Sequence, residues 1–355
     1  MRYLQNRPEE FEPRVCATAQ HRDMLDQVLD AFGVRPDHDL NLMTPGQTLF
    51  QSTSRILAGL EPVFEAEQPD VVLVQGDTTT TLCGALAGFY RGVPVGHVEA
   101  GLRTGDMYQP FPEEANRVLT GHLAALHFAS TDWAADNLRR EGIPDARIFV
   151  TGNTGIDAVL RVSESFDDGT LVGPDWPLLD SDRRLILVTA HRRESFGEGM
   201  ANICEALRTL AARPEVQIVF PVHPNPNVRG PVHQALGGLS NVILTDPIGY
   251  VPFVDLMRRA SILVTDSGGI QEEGPSLGKP VLVLRDKTER PEAVEAGTVR
   301  LVGTNPEKIV HDVISLLEDD AAYERMARVH NPYGDGRASA RIADLILSFQ
   351  RKNKF

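Results

Sequence analysis

The stretch SILVTDSGGIQEEGPSLGKPVLVLRDKTER, residues 261–290, decides the fold. Its apolar run at 262–265 is typical of a buried parallel strand, and the DSGG segment at 266–269 predicts a tight turn before a helix. Such a turn gathers unpaired backbone N–H groups at the positive end of a helix dipole, which favours a diphosphate. The two glycines permit close approach, and a glutamate one turn into the helix can reach ribose hydroxyls. The alternative is a plain turn with an Asp or Ser N-cap.

Apolar runs alternate with amphipathic helical stretches along the whole chain. They lie at 71–74, 94–98, 126–129 and 148–151, and again at 185–189, 216–220, 242–244, 262–265, 281–284 and 299–301. A further strand is predicted at 13–19, with Val15 and Ala17 at its apolar positions. This alternation predicts an α/β fold with mostly parallel sheets that carry helices on both faces. A chain of 355 residues is long enough for about two domains, and 163–182 is interpreted as the linker between them.

Composition excludes several classes of function. A net charge of -14 argues against nucleic acid or an anionic membrane as a general partner. Cys16, Cys83 and Cys204 are isolated and lack metal-binding spacing, which indicates a reducing cytoplasm. The chain has no apolar run of about 18 residues and no signal peptide, so no membrane span is predicted. Nicotinamide, ATP and zinc motifs are also missing, and neither a cofactor nor a metal is expected.

Polar side chains that could carry chemistry follow the predicted strands. Asp77 and Glu99 come just past the carboxyl ends of neighbouring strands, where they can converge on one ligand, and Glu113 is expected in the first turn of a helix. The alternative for each is an N-cap or a partner of the helix dipole. His191 and Arg192 follow the apolar run 185–189 and suit a clamp for a phosphate or leaving group, although a solvated loop is the alternative.

These motifs resemble, in order and spacing, the bacterial non-hydrolysing UDP-N-acetylglucosamine 2-epimerases from about residue 14 to residue 340. The segments that carry the resemblance are QGDTTTT (75–81), GHVEAGLRTGD (96–106), PEEANR (112–117), TAHRRESFG (189–197), PVHPNPNV (221–228), the 261–290 stretch and NPYGDG (331–336). The resemblance implies a GT-B-like fold of two doubly wound Rossmann-type domains with an interdomain cleft. The expected domains are 1–165, onto which the helix 337–355 packs back, and a UDP-binding domain at 166–336.

The implied activity is the reversible C2 epimerisation of UDP-GlcNAc to UDP-ManNAc. The hydrogen at C2 is not next to a carbonyl, so the family eliminates UDP to give 2-acetamidoglucal and then adds UDP back, without a redox cofactor or a metal. The resemblance further implies a cytoplasmic homodimer that supplies ManNAc-type sugars for cell-surface polysaccharide.

The resemblance also assigns roles to individual residues. The implied catalytic residues are Asp77, Glu99, Glu113 and His191. The implied contacts to the UDP-sugar are Arg117, Ile248, Phe253, Ser267, Gly268, Gly269, Glu273 and Arg290. Within this set, 267–269 form the phosphate turn, Glu273 contacts the ribose, and Ile248 and Phe253 line the uracil pocket. A second UDP-GlcNAc, bound as an activator, is expected at Gln20, His21, Arg55, Arg192, Glu194 and His223.

One departure from the family leaves alternatives open. The family opens with a strand, a Gly-Thr-Arg-Pro-Glu turn and a lysine-bearing helix that help to hold the substrate, and nothing in this sequence matches them. We therefore expect the first βα unit to be missing. The alternatives to an active epimerase are a truncated, inactive nucleotide-sugar binding protein, a GT-B glycosyltransferase, or a hydrolysing epimerase that releases free ManNAc.

Overall fold

The structure is a computed structural model that describes residues 1–18, 22–44 and 46–353. The chain forms two compact units: unit 1 comprises Met1–Asp157 and Tyr333–Phe355, and unit 2 comprises Ala158–Pro332. The boundary lies inside helix α7 (Thr154–Asp167), and not at 165/166. The first residues of the predicted linker are therefore helical. Among them, Phe166 packs under the guanidinium of Arg258, which lies 5.2 Å from the ring centroid and is distant in sequence.

Unit 1 is built on short parallel strands. Its four-stranded sheet has the order β3-β4-β5-β6, and β1 and β2 form a separate parallel pair. The strands are β1 (Cys16–Ala17), β2 (His38–Asp39), β3 (Val72–Gln75), β4 (Val95–Ala100), β5 (Leu126–Ala129) and β6 (Ile148–Val150). The helices are α1 (Arg2–Gln5), α2 (Arg22–Ala31), α3 (Leu49–Glu67), α4 (Thr79–Tyr90), α5 (Glu113–Leu123), α6 (Asp132–Arg140), the first part of α7, and the C-terminal helix α15 (Ala338–Asn353). Ile342 and Ile346 of α15 pack against Leu126 and Phe128 of β5, which joins the C-terminal segment to this unit.

A cavity of about 320 Å³ lies between β1 and β3, and Cys16 and Leu73 contribute to its lining. Arg14 Nε donates to Glu67 Oε2 over 3.1 Å beside the start of both strands. The hydroxyls of Thr18 and Thr80 lie 2.7 Å apart beside the strand ends. The strand predicted at 13–19 is only two residues long in the structure. Among the described strands, β1 pairs with β2 alone.

Unit 2 has one six-stranded parallel sheet of order β12-β11-β10-β7-β8-β9. The strands are β7 (Arg184–Thr189), β8 (Val216–Pro221), β9 (Val242–Thr245), β10 (Ile262–Thr265), β11 (Val281–Val283) and β12 (Val299–Leu301). The helices are α8 (Glu198–Ala211), α9 (Pro226–Leu236), α10 (Tyr250–Arg259), α11 (Gly268–Ser276), α12 (Pro291–Ala296), α13 (Pro306–Glu318) and α14 (Asp320–Ala327). The strand order reverses between β7 and β10, and the crevice at such a reversal is where doubly wound sheets bind ligands.

The core of unit 2 explains why its strands are continuous apolar runs. Ile186 and Val188 of β7 and Ile262 and Val264 of β10 are fully buried in one cluster with residues of α8 and α13. Since helices cover both faces of such a sheet, every side chain of the strand must be apolar or paired. The predicted parallel α/β architecture is confirmed.

Within the described residues, no helix combines the length and the apolar character needed to cross a bilayer. The described residues also contain no cluster of three or more His, Cys, Asp or Glu side chains that could hold a metal ion.

Candidate active site

Asp77 of unit 1 is held by two side chains of helix α5. Arg117 donates from Nε and Nη2 to Asp77 Oδ2 over 3.0 and 2.7 Å. Asn116 Nδ2 donates to the Asp77 carbonyl oxygen over 2.9 Å. Arg117 is only 6% exposed, so this ion pair is largely shielded from water. Helix α5 thus fixes both the carboxylate and the backbone of Asp77.

Glu99 lies at an irregularity of strand β4. The register between β4 and β5 shifts between Val98 and Ala100, and Glu99 has a φ of 62°, in the left-handed region. A non-glycine residue in this region is uncommon, and a bulge of this kind redirects a side chain. Its Oε2 lies 3.9 Å from the position that a Cβ would take on Gly76. The bulge therefore brings the Glu99 carboxylate to the turn that holds Asp77.

Glu113 and Glu114 occupy the first turn of α5 and differ in burial. Glu113 is partly exposed, whereas Glu114 is 1% exposed. Glu114 Oε1 accepts from the backbone N–H groups of Thr104 and Gly105, both at 3.0 Å, and Oε2 accepts from Arg117 Nη1 at 3.0 Å. Glu114 therefore ties the loop after β4 to the arginine that binds Asp77, and Glu113 is the accessible carboxylate of the pair.

In unit 2, His191 and Asp266 follow adjacent strands at the reversal of strand order. Asp266 is fully buried directly after β10, and its Oδ2 accepts from the backbone N–H groups of His191 and Arg192 at 2.7 Å each. Its Oδ1 lies 3.4 Å from His191 Nδ1. Ser267 occupies the N-cap of α11 without a side-chain capping bond. The alternative of a plain capped turn therefore lacks a side-chain cap: Ser267 forms no capping bond, and the Asp266 carboxylate binds the neighbouring turn.

The His191 ring stacks on the His223 ring, with 5.4 Å between centroids and 14° between planes. Burial lowers the pKa of His191, Asp266 opposes this effect, and His223 and Arg192 lower the pKa further. The lowered pKa favours the neutral imidazole, and an added negative charge would favour the protonated form.

Arg290 packs directly against the glycine turn. A Cβ on Gly268 would lie 2.5 Å from Arg290 Nη1, whereas a Cβ on Gly269 would meet only Glu273 Oε1 at 3.9 Å. Arg290 is 8% exposed, and it donates from Nε to Glu272 at 2.5 Å and from Nη1 to Glu289 at 2.8 Å. The turn thus needs glycine at 268 to admit the guanidinium.

Glu273 and Tyr250 occupy a desolvated region beside the same turn. Burial, and then the charge of Glu272, raise the pKa of Glu273 to about 8. Burial, and then Glu273, raise the pKa of Tyr250. Ile248 and Phe253 flank the start of α10 and are partly buried. A carboxyl group that is largely protonated at pH 7 can both donate to and accept from hydroxyl groups.

The residues expected to bind an activator are only partly described. Gln20 and His21 lie outside the described residues. Arg55 Nη1 donates to Thr44 Oγ1 over 2.8 Å in unit 1, and Glu194 accepts from Arg285 Nε over 2.6 Å in unit 2. In unit 2, Arg192 adjoins His191 in sequence, and His223 stacks on that histidine.

Three carboxylates that support these groups were not predicted from the sequence: Glu114 and Asp266, which are buried, and Glu289, which is partly buried. Burial raises the pKa of Glu289, but Arg290 and Arg285 outweigh burial and lower it to about 2. A signal was available for Glu114, which lies one helical turn before Arg117, and for Asp266, which directly follows a buried strand.

Comparison with known proteins identifies the family. The family described as UDP-N-acetylglucosamine 2-epimerase matches residues 2–347. The chain is 60% identical over 345 residues to a UDP-N-acetylglucosamine 2-epimerase of Yersinia pestis, covering 96% of this chain and 92% of that protein.

Two solved structures are also similar. The UDP-GlcNAc 2-epimerase of Neisseria meningitidis bound to UDP-GlcNAc has a TM-score of 0.90 at 49% identity, covering 98% of this chain and 94% of that one. The Methanocaldococcus jannaschii enzyme in complex with UDP-GlcNAc and UDP has a TM-score of 0.78 at 33% identity, covering 97% of this chain and 94% of that one. The family match, the sequence identity and the structural similarity agree, and the chain belongs to the UDP-N-acetylglucosamine 2-epimerase family.

Proposed function

We propose that this chain catalyses the reversible epimerisation of UDP-GlcNAc and UDP-ManNAc at C2. The observation that carries the proposal is the strained bulge at Glu99, which brings its carboxylate to the turn of Asp77, itself bound by Arg117. Strained backbone of this kind concentrates at functional sites. Carboxylates placed together at strand ends can remove and return a proton.

The proposed reaction eliminates UDP. A carboxylate of unit 1 removes the C2 proton, the electron pair forms the C1–C2 double bond, and the C1–O bond breaks with its electrons on the UDP oxygen. UDP then adds back to 2-acetamidoglucal as the proton returns to the opposite face of C2. Asp77, Glu99 and Glu113 supply the base and the acid, and Arg117 positions Asp77.

In this proposal, unit 2 binds UDP. The N–H groups at the start of α11 accept the diphosphate, and His191 supplies positive charge as the C1–O bond breaks. Glu273 contacts the ribose, and Ile248 and Phe253 contact the uracil. The resemblance implies that Arg290 faces the substrate, and its pairs with Glu272 and Glu289 would also hold the glycine turn in shape.

The test is proton NMR of the purified chain with UDP-GlcNAc in heavy water. UDP-ManNAc that carries deuterium at C2 is the expected product, and Glu99→Gln should abolish its formation. With ¹⁸O in the C1–O–P bridge, the label should scramble into the non-bridging β-phosphate positions, because free UDP forms in the site. Release of free ManNAc would indicate a hydrolysing epimerase instead. Transfer of GlcNAc to an acceptor would indicate a glycosyltransferase, and UDP binding without turnover a binding protein.

We also propose a second UDP-GlcNAc as activator at the expected set Arg55, Arg192, Glu194 and His223, within which the positive charges of Arg55 and Arg192 suit its diphosphate. The M. jannaschii relative was solved in complex with both UDP-GlcNAc and UDP. The expected outcome is that pure UDP-ManNAc reacts slowly until a trace of UDP-GlcNAc is added. Equal initial rates with and without that trace would contradict it. The expected homodimer stays a prediction that light scattering can check.

A further inference from the structure

Asp266 is a buried charge for which the proposed reaction gives no direct role. It is fully buried, and its Oδ2 already accepts two backbone N–H groups at 2.7 Å. Its Oδ1 is buried and has no hydrogen-bond partner among the described residues. A buried carboxylate oxygen left in this state is costly, so it calls for an explanation.

His191 Nδ1 lies 3.4 Å from that oxygen. This distance is longer than an ordinary N–H···O bond, but it is within ion-pair range. The backbone N–H of His191 is already bound to the same carboxylate, so the histidine cannot move away as a whole. A small rotation of the exposed imidazole would close the remaining gap, and catalytic hydrogen bonds often tighten only when the ligand binds.

We propose that Asp266 is the positioning residue of His191: one carboxylate oxygen fixes the turn that carries the histidine, and the other accepts its Nδ1 proton. Nε2 is then the nitrogen available to the diphosphate, and it donates a hydrogen bond when the ring is protonated. No proton is transferred in this step. The electrons of the breaking C1–O bond remain on UDP, and the imidazolium stabilises their charge. This inference rests on the proposed function.

The charged surroundings of His191 make the arrangement selective for a bound anion. Asp266 favours the imidazolium, whereas burial and the neighbours His223 and Arg192 disfavour it. The free site therefore does not hold His191 permanently protonated. The negative charge of UDP changes that balance, so the positive charge at Nε2 is strongest when the diphosphate is present.

The test is a ¹⁵N NMR titration of the histidine rings in the whole chain, with and without UDP, with His191→Gln used to assign the signal. In the wild type, neutral His191 is expected as the Nδ1–H tautomer, and its pKa should rise on adding UDP. Asp266→Asn keeps an oxygen for the two backbone N–H groups but presents an N–H₂ group to Nδ1. The neutral ring should then become the Nε2–H tautomer, and its pKa should fall.

The control is Asp255→Asn, which changes another buried aspartate of unit 2, one that accepts from Trp176 Nε1 and Arg259 Nε. It should leave the His191 signal unchanged. In turnover, Asp266→Asn should lower kcat/KM by roughly tenfold to 100-fold and move its alkaline limb to lower pH, as the loss of an orienting partner does elsewhere.

Neutral His191 found as the Nε2–H tautomer in the wild type would overturn the proposal, and this result needs no variant to fold. An unchanged tautomer and pKa in a folded Asp266→Asn protein would overturn it as well. Because the titration needs no turnover, a chain that shows the coupling but does not epimerise would refute only the proposed function.

Discussion

Replacing Gly268 by Ala is expected to destabilise unit 2, whereas the same change at Gly269 is not. The new methyl group at 268 would lie 2.5 Å from Arg290 Nη1, so the guanidinium must move. Arg290 binds Glu272 and Glu289 and is 8% exposed. Breaking a buried ion pair costs about 3–5 kcal/mol. Ala in place of Gly in a helix returns at most ~1 kcal/mol, and the net loss is about 2–4 kcal/mol.

That loss corresponds to a fall of roughly 5–15 °C in the melting midpoint, since about 1 kcal/mol shifts a unit of this size by 2–4 °C. Differential scanning calorimetry of the two variants and the wild type is the assay. Gly269→Ala is the matched control, because its methyl group would meet only Glu273 Oε1 at an ordinary 3.9 Å. If Gly268→Ala melts no lower than Gly269→Ala, the guanidinium does not hold the turn and the reasoning is refuted.

Three further perturbations test other parts of the molecule. Glu114→Gln should lower kcat roughly tenfold with little change in KM, about 1.4 kcal/mol for a lost charged hydrogen bond. Steady-state kinetics should show no such loss in Glu141→Gln, which weakens a different ion pair of unit 1. Because the pKa of Glu273 is raised from 4.5 to about 8, the free energy of unfolding should fall as pH rises through that window. Urea titrations should show a flatter dependence in Glu273→Gln. Gly101→Ala should fail to fold, as judged by circular dichroism, because its φ is 89° and a Cβ would lie 2.1 Å from a backbone oxygen of α6. Gly105→Ala, with a φ of 80° and open space around it, should cost only about 1 kcal/mol and remain folded.

The strands that could be predicted from sequence are those buried on both faces. The runs 126–129 and 262–265 coincide with strands of the structure residue for residue, and every residue of these two strands is buried. The run 299–301 also coincides with a strand, although β12 is an edge strand and only partly buried. The strand predicted at 13–19 shrinks to two residues, because strand length depends on which neighbours pair with it. A local pattern does not specify those neighbours.

In the candidate site as well, some features could be predicted from the sequence and others could not. Asp77 and His191 follow strands, as predicted, whereas Glu99, predicted just past its strand, is the second-last residue of β4, which runs to Ala100. The left-handed φ of Glu99 could not be predicted, because it depends on a register shift against the neighbouring strand β5. Glu114 and Asp266 were missed because acidic residues near a helix start resemble caps. The i,i+3 spacing of Glu114 and Arg117 was visible in the sequence, whereas the contact of Asp266 with His191 depends on the pairing of β7 with β10.

The left-handed conformation of Glu99 has a consequence for selection. Glycine at that position would relieve about 1–2 kcal/mol of backbone cost while removing the carboxylate. Directed evolution for heat resistance alone would therefore favour Glu99→Gly. The gain in stability at this position would remove the carboxylate that the proposed reaction uses. The glutamate at this bulge thus keeps its carboxylate at a backbone cost that glycine would not carry.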